Sequence, residues 1–237
     1  MSRNSVRIVI AIAILALTIL SCGTPATPTA APPQPVATQP SAPTQPPAPT
    51  EPPADEVPVV PSGLANAVLT INDLPAGFQE FSEQELKDMG MDSETLASSF
   101  KDTLKKATPQ SFKAFMSTDM NNFEMVMSFV LAPLTTLEKA SFDICLADPQ
   151  GAAKDFGEGA GSSDVQIIKM DKIGDSSVGL TFTSGEGDTK LRADVVISRN
   201  KNAVVVTMVF YLDGQTPPFS VEQAAKIMDQ RVGDAQK

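Results

Sequence analysis

Ser98 and Lys101 stand three positions apart. At that spacing on a helix a lysine can reach a serine and take its proton, making a nucleophile for acyl transfer. The pattern arises cheaply, because Ser198 and Lys201 repeat it. No Lys-Thr-Gly or Lys-Ser-Gly stretch, which would complete a Ser-Lys site, occurs in the chain. Ser98 and Lys101 therefore read as part of a solvated helix face. Gly157, Gly159 and Gly161 alternate as if to cradle a phosphate. A phosphate loop runs from a strand into a helix, whereas these glycines follow a predicted helix and precede a predicted strand. They read as a helix stop and a connector.

Met116, Met120, Met125 and Met127 offer thioethers, the soft ligands that suit Cu(I). Met125 and Met127 share one face of a predicted strand with Phe123, Phe129 and Leu131, so a core face explains them without a metal. The same face has a functional alternative. Phe123, Met125, Met127 and Phe129 together would line an adaptable apolar pocket for a small ligand. Cys145, between Ile144 and Leu146 in a predicted helix, reads as core.

The chain of 237 residues contains no His, no Trp and one Tyr. Without imidazole there is no Ser-His-Asp triad, no Cys-His dyad and no His metal site. Catalysis would rest on carboxylates, Lys, Ser, Thr or the lone Tyr. A net charge of −10 argues against nucleic acid, whose phosphates require clustered Lys and Arg. No cofactor motif is present. The stretch from Asp73 to Glu94 holds seven acids and one Lys, and Lys101, Lys105, Lys106 and Lys113 follow. This polarity would dock a charged partner or bind Ca²⁺ weakly, but it has no EF-hand spacing and reads first as solvated faces.

Residues 1–21 have the form of an export signal. Arg3 and Arg7 precede an apolar run from Ile8 to Leu20, broken only by Thr18. As a helix this run would be about 20 Å long, short of the roughly 30 Å hydrocarbon core. The run ends in Ile19-Leu20-Ser21-Cys22, followed by Gly23. This resembles the lipobox of bacterial lipoproteins, although Ile19 and Leu20 stand where the family prefers Leu and a small residue. The resemblance implies cleavage before Cys22, a thioether-linked lipid on its sulfur, and attachment of the protein to a membrane outside the cytoplasm. Such a Cys22 would take no part in an intrachain disulfide. An ordinary secretory signal is the alternative.

Residues 22–61 are expected to be a disordered tether. Fourteen prolines fall between Gly23 and Pro61, with Thr, Ala and Gln in most other places. Such a segment buries too little apolar surface to offset the entropy of ordering. As a polyproline II chain it would reach at most about 120 Å.

Residues 62–237 read as one α+β domain, an antiparallel sheet of about five strands packed with helices. Strands are predicted over Phe123–Leu131, Val165–Met170, Val178–Phe182, Leu191–Ile197 and Ala203–Leu212. A hairpin is expected at Gly185–Asp188. Ala203–Leu212 is apolar at every second position on both faces, which predicts a central, doubly covered strand. Ser111–Ser117 reads equally well as helix or strand. Helices are predicted over Ser93–Ala107, over Thr136–Ala147 behind a Thr135/Glu138 capping box, from Pro149, and after Ser220 with Gln223 three on. Two phrases, Asp73-Leu-Pro-Ala-Gly-Phe78 and Ile173-Gly-Asp-Ser-Ser-Val-Gly-Leu-Thr-Phe182, resemble tethered extracytoplasmic domains of bacterial lipoproteins and of mycobacterial receptor-kinase sensors. The resemblance implies a ligand- or partner-binding α/β domain and carries no functional residues over.

Three functions compete on these grounds. The first is a non-catalytic ligand-binding or sensor module with an apolar pocket between sheet and helices. The second is an envelope docking or assembly protein that uses a surface. The third is a hydrolase with two carboxylates converging in a cleft.

Overall fold

The computed structural model describes residues 60–91, 104, 107–119, 122–160, 162, 164–184 and 190–237. The expected signal, Cys22 and the tether up to Val59, most of the Ser93–Ala107 helix, and the Gly185–Asp188 turn lie outside the described residues.

Seven strands form one antiparallel sheet: β1 (Phe78–Glu80), β2 (Thr108–Ser117), β3 (Glu124–Ala132), β4 (Gln166–Ile167), β5 (Ser176–Ser184), β6 (Leu191–Asn200) and β7 (Ala203–Leu212). Their order is β1-β2-β3-β7-β6-β5-β4. The doubly apolar strand expected at the centre is β7, with three strands on either side. Four α-helices are described: α1 (Glu83–Asp88), α2 (Thr136–Ala147), α3 (Pro149–Ala160) and α4 (Val221–Ala235). Capping boxes at Thr135/Glu138 and Ser220/Gln223 start α2 and α4 as the sequence predicts.

Side-chain alternation sorts the sheet into two apolar layers. Met125, Met127 and Phe129 of β3 share one layer with Met208 and Phe210 of β7, and with Phe142, Leu146 and Phe156 of α2 and α3. Val126 and Val130 share the opposite layer with Val205 and Val209, with Ala224, Ala225, Met228 and Val232 of α4, and with Leu64 and Leu69 of the N-terminal segment. Both faces of the central strands are thus withdrawn from water. Full burial of each Phe or Met is worth about 1.5–3 kcal/mol.

The sheet has two strands more than the five expected. β1 is three residues long, too short for any period to show. Across the Ser111–Ser117 stretch β2 resolves the open choice in favour of strand, and its second residue, Pro109, stands inside the ladder. The register shifts between Pro109 and Ser111, and β1 ends at Glu80 opposite Phe115, so the proline's missing N–H costs no described pairing. The Val165–Met170 strand shortens to β4. Beyond it Ile168 still donates to the Gly179 carbonyl at 2.8 Å, and Ile168 and Met170 lie where a Cβ on Gly179 would be. Gly157 and Gly159 fall inside α3 rather than after it, and Gly161 lies outside the described residues. A Cβ on Gly157 would come within 2.8 Å of the Ser162 carbonyl oxygen, so this glycine serves a close backbone approach. Among the described residues no helix is long and apolar enough to cross a membrane.

Candidate functional site

A groove opens where α1 meets β2 beyond the end of β1. Its position follows from the short β1. Phe81 still donates to the Ala114 carbonyl at 2.9 Å, and the chain then turns away into α1 behind a Ser82/Glu85 capping box. The groove has a volume of about 790 Å³ and is lined by Phe81, Leu86, Pro109 and Phe112, with Lys87 and Lys113 at its polar part. Its size is that of pockets that take small organic ligands, but polar side chains, Ser82, Gln110 and Ser111 among them, make up more of its lining than apolar ones. Phe112 joins the groove to the core, its ring meeting Phe129 edge-on with centroids 6.4 Å apart. Two carboxylates, Glu80 and Glu83, also border the groove. Glu80 is ion-paired with Lys113. A second cavity of about 520 Å³ lies between α3 and the chain after it, walled by Ala153, Gly157 and Val165.

A polar row crosses the opposite face at the far end of β3, β7 and β6. Glu124 stands opposite Tyr211, and Tyr211 stands opposite Arg192. The Tyr211 hydroxyl donates to Asp194 Oδ2 at 2.9 Å, and burial with the adjacent Asp194 charge raises the phenol's pKa. Arg192 Nη2 is 2.9 Å from Asp213 Oδ1. Glu124 differs from its neighbours. It is 1% exposed, with no side-chain partner for either carboxylate oxygen among the described residues. Burial pushes its carboxyl up to about 7, with the Phe219 backbone amide pulling weakly the other way.

The residues read from sequence fall mainly elsewhere. Met125, Met127 and Phe129 are at most 1% exposed, Phe123 is partly buried against the same layer, and none of the four lines either cavity. Side chains of α2 and α3 fill the layer they face. Ser98 and Lys101 lie outside the described residues. Ser198 is fully buried in β6, while Lys201 Nζ donates to the Gln236 carbonyl at 3.1 Å, so these two form no activated pair. Among the described residues no group of three or more acids and cysteines could hold a metal ion.

Residues of both phrases have structural roles. Asp73 is held by Arg231, Gly77 takes a positive φ of 98°, and Phe78 enters the core. In the second phrase Gly174 has φ 64°, Asp175 accepts from Arg199 and from the Lys201 amide at 2.8 Å each, and Ser176 donates to Asp143 at 2.6 Å. Val178, Leu180 and Phe182 are core.

No family model matches the chain, and no curated protein matches it.

Cys145 is buried as the sequence predicts. It is disulfide-bonded, and its bonding partner lies outside the described residues. This departs from the expectation of a chain without an intrachain disulfide. The groove residues escaped the sequence reading because Phe81 and Phe112 belong to different elements and meet only through the β1–β2 pairing. Glu124 did carry a signal, as the one charged position in a strand otherwise apolar or small.

Proposed function

We propose that this chain is an exported, lipid-anchored, non-catalytic ligand-binding or sensor module. Cys22 carries the anchor, the Pro/Thr-rich stretch gives reach, and the α+β domain recognises a ligand. The observation that supports binding is the groove beside Phe112. It is large enough for a small molecule, has Phe81, Leu86 and Phe112 for an apolar part, and carries Lys87 and a largely polar rim to hold a polar end. The expected apolar face contributes through the Phe112–Phe129 contact rather than as a pocket of its own. Chemistry by paired carboxylates has less support, since Glu80 is engaged by Lys113.

A second reading, docking to an envelope protein, is favoured by one feature. Leu137 and Ile144, two turns apart on α2, are 69% and 71% exposed.

The anchor is tested by the intact mass of the protein from its host's membranes. A chain starting at Cys22 with acyl chains attached supports it, and an unmodified sulfur ends it. A sulfur holding a thioether cannot also form a disulfide, and Cys22 is the only other cysteine in the chain, so the lipid and an intrachain bond to Cys145 exclude each other and the intact mass decides between them. The groove is tested by ligand loss on Phe112→Glu at unchanged stability.

A further inference from the structure

Glu124 begins β3 with its carboxyl group enclosed and without a side-chain partner among the described residues. The titratable groups on the elements packed around it are engaged with one another. On β7 and β6 the Tyr211 hydroxyl is committed to Asp194, and Arg192 to Asp213. On β1 and β2 Glu80 is paired with Lys113, and on α4 Glu222 is paired with Lys226 at 2.7 Å. No cation is ion-paired with Glu124 among the described residues. Its one opposing polar influence is the backbone amide of Phe219, the residue before the Ser220 cap of α4. Phe219 and Val221 are themselves 5% and 4% exposed, in the same apolar layer as Tyr211 and Val126. A carboxylate in such a place has little water and, among the described residues, no counter-charge, so the closed packing favours the neutral acid.

We propose that Glu124 is a proton-operated latch: protonated, it lets Phe219 and the first turn of α4 close over the end of β3 and β7, and loss of that proton to solvent opens them. The device is independent of what occupies the groove on the other face. It would make the docking of α4 respond to the pH outside the membrane.

Amide hydrogen exchange on the full-length protein at pH 5.5 and pH 8, corrected for intrinsic exchange, tests this. If the open state ionises at the ordinary 4.5 and the closed state at about 7, the opening constant of the Phe219–Ala224 amides rises roughly thirtyfold across that interval. Glu124→Gln should abolish the rise while α2 stays unchanged in both proteins. Glu124→Met provides the same readout should Gln fail to fold. The same rise in either variant, no rise in the wild type, or an equal rise in α2 would overturn the latch.

Discussion

Arg231 grips Asp73 from 158 positions away: Nη1 lies 2.8 Å from Oδ2 and Nη2 lies 2.7 Å from Oδ1. The same guanidinium donates to the Val68 carbonyl at 2.9 Å. One side chain of α4 thereby fixes the segment that leads into β1, and so sets one wall of the groove. Thr70 adds its amide and hydroxyl to the Asp73 carboxylate at 2.7 and 2.9 Å.

Replacing Asp73 with Ala should lower stability by about 2 kcal/mol, the usual scale for hydrogen bonds to a charged group. Arg231→Lys should recover little of it, because an ammonium cannot present the two-pronged fork. Urea unfolding of both variants checks this. A change under 0.5 kcal/mol would show that the pair does not hold the segment.

Gly174 and Gly214 make a matched test of backbone against space. Both have positive φ, 64° and 85°. A Cβ on Gly174 would run into the Arg199 carbonyl oxygen, whereas Gly214 has nothing within 4 Å. Gly214→Ala should cost about 1 kcal/mol from the left-handed backbone alone. Gly174→Ala should cost clearly more, with thermal melting showing the larger drop. Equal costs would mean that the close approach is readily relieved.

Among the described residues three buried hydroxyls, on Ser128, Ser198 and Thr207, have no hydrogen-bond partner. Ser128 and Thr207 face each other across β3 and β7. Thr207→Val keeps the branched shape and removes an unsatisfied group, so it should stabilise the fold by about 1 kcal/mol. A loss in the denaturation midpoint would show that the hydroxyl is satisfied in solution.

Stability should fall on both sides of a mildly acidic optimum. Glu124 is raised on folding from 4.5 to about 7, so between those values the folded chain holds a proton that the unfolded chain has released. Its contribution is full below pH 4.5 and is lost as pH rises through 7, an effect of about 3 kcal/mol. Asp73, Asp143 and Asp164 shift the other way, lowered by hydrogen bonds to Arg231, to Arg199 and to Ser162 and Thr183, against the opposing pull of burial. Their contribution is present above 3.8 and is lost as pH falls through their folded values. Unfolding midpoints from pH 3 to 9 should trace this profile, and Glu124→Gln should flatten its alkaline side only.

What could be read from sequence was local. The two-sided apolar run of Ala203–Leu212 placed β7 at the centre because only a doubly covered strand tolerates it. Thr135/Glu138 and Ser220/Gln223 marked helix starts because a capping box lies within four residues. The remaining features depend on pairing across the chain. Ser111–Ser117 read as helix or strand until the pairing of β2 with β3 decided it. Glu124 lies on the side of β3 that α4 and the N-terminal segment cover, a covering that no local pattern shows. Asp73 and Arg199 revealed nothing until the partners Arg231 and Asp143 were beside them. The groove is the same kind of feature, formed where α1 leaves the edge of β2.

Native mass spectrometry of the full-length protein, taken from its host's envelope, tests the binding claim most directly. The account predicts an extra mass that is lost on denaturation and is absent from a folded Phe112→Glu variant. An identical bare mass for both proteins, or an extra mass that the variant retains, would contradict it.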